Sequence, residues 1–124
     1  MKRKSMIIIL SILMVVFSSV SAFAMTPGSK TQTFGGVSLP YTNKLNVTVY
    51  WAWDSTGKIT VCTPSTSATP ASGWSYAGLT ESSQTPINNY ATYDIIKEGH
   101  FDGNGNDYVR LHIQVNAGGT YKTL

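Results

Sequence analysis

The sequence has a single cysteine, Cys62. No intramolecular disulfide can form, so the staples that support many small secreted domains are excluded. Charged residues make up only 12% of the chain, and Lys2, Arg3 and Lys4 carry the whole formal excess of +3. Everything after them is formally neutral, so a basic nucleic-acid-binding domain is not indicated. Long stretches rich in Glu, Lys, Ala and Leu are missing, and with them long amphipathic helices. G-x-S-x-G, H-E-x-x-H, P-loop and Rossmann glycine patterns are also absent. The acidic residues are too scattered to nominate a glycosidase pair, and catalysis is not expected.

What is present begins with a leader. Met1-Lys2-Arg3-Lys4 is positive, Met6 to Phe17 is apolar apart from Ser11, and Ser18 to Ala24 turns small. Ala22 and Ala24 suit the two small-residue positions before a signal-peptidase cut, so residues 1–24 read as a signal peptide cleaved after Ala24. The apolar run is shorter than the roughly 20 residues that span a bilayer, and no second run follows. The expectation is a secreted, extracellular protein with no membrane span after cleavage. The form of the leader and the cysteine poverty point to a bacterial source. Residues 25–124 are the size of one domain.

This region is rich in Thr, Ser, Asn, Gly and Tyr, residues of half-exposed strands and of turns. Thr31 to Val37 predicts a first strand. Leu45 to Trp53 alternates apolar and polar residues, which predicts a strand with Leu45, Val47, Val49, Trp51 and Trp53 on one face. Asp54 to Gly57 predicts a turn, and Lys58 to Thr63 a returning strand with Ile59 and Val61 inward. Pro64 to Gly73 reads as a long loop, Trp74 to Leu79 as a short strand, and Thr80 to Asn89 as a second polar loop. Tyr90 to Glu98 fits a strand better than a helix ending at Gly99. Asp102 to Asp107 is a turn. Tyr108 to Val115 is a strand with Val109, Leu111, Ile113 and Val115 inward, and Thr120 to Leu124 a short last strand. The fold class is all-β, a small antiparallel β-sandwich of six or seven short strands.

The candidate sites are few. Asp102, Asn104 and Asn106 match the first ligands of a calcium loop, but Asp107 stands where Gly is needed and Ile113 where a bidentate Glu is needed. A hairpin turn is the better reading, and no metal or cofactor is expected. His100 and His112 are expected on an outer face, roughly 13 Å apart at about 3.3 Å per residue, too far to share a metal. Cys62 reads as a buried thiol. Leu39-Pro40-Tyr41-Thr42-Asn43 resembles a sortase signal but lies far from the C-terminus, and reads as chance.

The aromatics are the strongest signal. Trp51 and Trp53 continue an apolar face, while Tyr50 points the other way. Trp74 and Tyr76 lie two apart and share a face, so Trp74, Tyr76 and Tyr50 are the candidate contact residues if exposed, and core residues if not. The expected function is a non-catalytic extracellular binding or structural module with a protein or carbohydrate partner. A small secreted effector acting on neighbouring cells is the alternative. Oligomeric state is not legible in the sequence.

Overall fold

The computed structural model describes residues 24–124. The leader expected over residues 1–24 lies outside them, save for Ala24. Seven strands follow in order: β1 (Gly28–Val37), β2 (Lys44–Trp53), β3 (Ile59–Thr69), β4 (Ser75–Ile87), β5 (Thr92–Gly103), β6 (Gly105–Asn116) and β7 (Tyr121–Thr123). They form a three-stranded sheet, β1-β2-β3, and a four-stranded sheet, β4-β5-β6-β7. Every pairing is antiparallel. The expected sandwich is what forms. Among the described residues there is no helix, and so none long and apolar enough to cross a membrane.

The alternation in β2 and β6 builds the core. Leu45, Val47, Val49 and Trp51 from one sheet meet Val109, Leu111, Ile113 and Val115 from the other, joined by Phe34, Ile59, Ile95 and Phe101. Their burial is the main force that holds the layers together. Gly36 lets β1 approach β6, because a Cβ there would sit 2.9 Å from Val109 Cγ1. Lys97 is also buried on the inner face, where its ammonium donates to Ser82 Oγ at 2.5 Å.

Three sequence expectations change. The loop expected over Pro64 to Gly73 shrinks to 70–74, because β3 runs on to Thr69 with Pro64, Thr66 and Ala68 opposite Val49, Val47 and Leu45. The loop expected over Thr80 to Asn89 is mostly strand, because β4 runs to Ile87 beside β5. Both are edge strands. Small polar residues suffice there, since an edge strand covers little core and pairs through its backbone. Val61 faces out, not in. A bulge pairs Trp53 with Ile59 but Ala52 with Val61, so the extra residue Thr60 reverses the alternation.

Candidate functional site

The connections β1–β2, β3–β4 and β5–β6 meet at one end of the sandwich, as the strand directions require. The first, residues 38–43, is pinned by two polar side chains. Asn43, fully buried, donates from Nδ2 to Asp107 Oδ2 at 2.7 Å and accepts from the Ala71 amide at 2.8 Å. Ser38 Oγ donates to the same Asp107 carboxylate oxygen and accepts from the Asn43 amide at 3.2 Å. The loop closes on itself through Ser38 N to Asn43 O at 3.0 Å and Thr42 N to Ser38 O at 2.8 Å. Burial alone would raise the Asp107 carboxyl, but hydrogen bonds from Asn43, Ser38 and the Tyr108 amide outweigh it and hold it below the ordinary aspartate value.

The pinned loops present an apolar surface. Leu39 is 84% exposed and Tyr41 45% exposed. The Tyr41 ring lies 4.8 Å from that of Trp74, tilted at 45°. Trp74 closes its own turn through a 3.0 Å bond from its amide to Ala71 O, and its indole lies over Gly103, where any Cβ would collide with it. Glycine at 103 is therefore a packing requirement of the tryptophan. None of the residues 38–43, 70–74 and 103–105 is charged. The surface is aromatic and aliphatic, fringed by hydroxyls and amides.

The aromatics nominated from the sequence separate. Trp74 belongs to this end and packs against the core, partly buried. Tyr76 lies just inside, its ring 5.3 Å from that of Phe101, and burial pushes its phenol above the ordinary value. Tyr50 is exposed on the outer face of the three-stranded sheet, between the fully buried Val49 and Trp51. Leu39 and Tyr41 are masked in the sequence by the resemblance of Leu39-Pro40-Tyr41-Thr42-Asn43 to a sorting motif. The signal that marks them is a Leu and a Tyr in a short connection between two strands, where polar residues are usual.

The outer face of the four-stranded sheet carries the ion pairs found among the described residues. Arg110 pairs with Glu81 and lies 4.0 Å from Glu98, which accepts from Thr80 Oγ1 at 2.8 Å. His112 Nε2 meets Asp94 Oδ1 at 2.6 Å, and Gln114 donates to the same oxygen at 3.0 Å. Burial would raise the Asp94 carboxyl, but Gln114 and His112 hold it low. His100 stacks on Tyr108 at 4.8 Å and lies 3.1 Å from Asp102 Oδ1. Among the described residues neither imidazole bonds to a hydroxyl or thiol. No three His, Cys, Asp or Glu side chains among those residues are grouped as a metal site. Asp102 and Asp107 point to opposite sides of the β5–β6 hairpin, toward His100 and toward Asn43. Cys62 is half-buried, and loss of water pushes its thiol up to about 11.

No family model, no curated protein and no solved structure matches this chain.

Proposed function

We propose that the chain is an exported, non-catalytic binding module whose contact surface is the pinned loop end, with Trp74, Tyr41 and Leu39 as anchors. The observation that carries this reading is the pairing of exposed apolar side chains with a buried polar brace. Asn43 and Asp107 fix the backbone beneath the surface, and a surface fixed before contact loses little conformational freedom on binding. Two adjoining aromatic rings fringed by hydroxyls and amides suit the apolar faces and hydroxyls of a neutral carbohydrate at a cell surface. Export of the chain rests on the leader sequence.

Retention of the purified protein on insoluble cell-wall polysaccharide tests the reading. Trp74→Ala and Tyr41→Ala should each lower retention at least about tenfold, the scale of a lost anchor. Tyr50→Ala, on a different face, should leave it unchanged. Binding by the wild type that all three variants share equally would overturn the assignment. So would capture of proteins in place of polysaccharide.

A further inference from the structure

Four strand edges border the two sheets, and three of them are guarded. β3 carries Pro64. β4 carries Pro86 and two register breaks, at Tyr76/Gly78 and Leu79/Glu81. β7 has three residues. Prolines, bulges, short length and edge lysines are devices that stop a sheet edge from pairing with another chain. Of these β1 has only a lysine, Lys30. Its ten residues pair with β2 in unbroken register, and it contains no proline. Among the described residues, no strand pairs with its other edge. Lys30 is its one charge, and that ammonium lies over the Tyr121 ring, 4.9 Å from the centroid. Tyr121 packs edge-on against Phe34 at 5.3 Å, yet remains 42% exposed on the same flank.

We propose that β1 pairs antiparallel with β1 of a second copy, joining the two three-stranded sheets into one of six strands. The register is constrained. Directly opposed residues share a face, so continuous inner and outer faces require odd residues opposite odd ones and even opposite even. A two-fold axis beside Thr33 meets this condition. It sets Thr33 against its own mate, Thr31 against Gly35, and Ser29 against Val37 on the outer face. On the inner face it sets Gln32 against Phe34 and Lys30 against Gly36. No like charges oppose one another, and paired threonines suit a sheet surface. The assembly also closes. Both β1 edges are consumed, and the new outer strands are the β3 strands with their prolines, so growth stops at two copies. This pairing is independent of the loop end proposed as the contact surface.

Sedimentation of the purified protein over a range of concentrations should show a monomer–dimer equilibrium. Thr33 is exposed on the outer face, so a long charged side chain there fits the monomer. Thr33→Lys and Thr33→Glu should each weaken the dimer at least tenfold, and an equimolar mixture of the two should recover it. Thr48→Lys, on β2 beside Thr33 but away from the edge, should leave the dimer intact. Thermal unfolding of each variant reports that the fold is kept. A wild type that stays monomeric at several hundred micromolar overturns the proposal, whatever the variants do. Dimers of Thr33→Lys and Thr33→Glu as tight as the wild type's overturn it as well.

Discussion

The two ends of the sandwich are closed by different means. At the end that holds β2–β3, β4–β5 and β6–β7, backbone groups supply most of the ties, beside a part-buried side-chain bond from Thr92 Oγ1 to Asn116 Oδ1 at 2.8 Å. Met25 N reaches Ser55 O at 3.0 Å, Ile59 N reaches Tyr90 O at 2.8 Å, and Ala117 N reaches Ala91 O at 2.9 Å. The indoles join the same scheme, with Trp51 Nε1 donating to Asn116 O and Trp53 Nε1 to Thr26 O, each at 2.9 Å. At the other end the ties run through Asn43, Asp107 and Ser38, and Leu39 and Tyr41 there are left at the surface. Backbone ties tolerate many side chains, whereas a buried Asn–Asp brace tolerates few. One end is therefore built to complete the core, and the other to hold a particular loop shape. That contrast is the physical basis for placing the contact surface where we do.

The largest test of this contrast is Trp51→Ala. Trp51 is fully buried, and its loss leaves a cavity and takes one of two donors from the Asn116 carbonyl, which still accepts from the Gly119 amide at 3.0 Å. Unfolding by denaturant should show a loss of about 3–5 kcal/mol. The cost belongs to the core, so a folded remnant of this variant should keep its polysaccharide retention per folded molecule. Retention lost in the folded fraction would mean that the two ends are not separable.

Next in size is Asn43→Ala. It strands the Ala71 amide and removes one of the donors to Asp107. A buried group left without a partner costs about 1–3 kcal/mol, so a loss of about that size is expected in the same titration. Unlike Trp51→Ala, this change should also loosen the 38–43 loop and reduce retention in the folded fraction. A stability loss below about 0.5 kcal/mol would show that the brace does not hold the loop.

How far the sequence reveals this contrast depends on the kind of tie. Alternation in Leu45 to Trp53 and Tyr108 to Val115 exposes the core directly, because one face of each strand is dry. The turn at Asp54 is equally plain, since its carboxylate caps the Thr56 amide at 2.9 Å within its own turn. Edge strands β3 and β4 are hidden, because Ser, Thr and Pro at a thinly covered edge resemble loop sequence. The brace is hidden for another reason. Asn43 and Asp107 are 64 residues apart and meet only through the fold. Leu39 and Tyr41 are readable as apolar residues in a turn, but their proximity to Trp74 is not.

Acid titration sharpens the comparison at smaller scale. The Asp107 carboxyl is held below its unfolded value, so its contribution to stability is fully present above about pH 4. That contribution is lost as pH falls through the depressed native value. Asp94 is also held low and contributes in the same direction. Stability should therefore fall as the solution is taken below about pH 4. In Asp107→Asn the fall should be shallower, with the remainder due to Asp94 and to Asp54, which Thr56 and the Lys58 amide also hold low. An unchanged pH dependence in Asp107→Asn would remove the carboxylate from the brace.

The smallest expected stability effect is the most direct test of the division between the ends. Leu39 and Tyr90 are both exposed apolar residues on connections, at opposite ends of the sandwich. Leu39→Ser exchanges a solvent-facing aliphatic chain for a hydroxyl, and surface changes of this type usually fall within about 0.5 kcal/mol. Tyr90 has φ 67, a left-handed conformation that Asn tolerates, so Tyr90→Asn is the matched change at the other end. Thermal unfolding should barely separate the two variants from the wild type. Polysaccharide retention should separate them: Leu39→Ser removes apolar contact area beside Tyr41 and Trp74, whereas Tyr90→Asn alters the end assigned to closure. Equal retention losses in both would show that exposed apolar side chains act by general stickiness, and the assignment of one end to contact would fail.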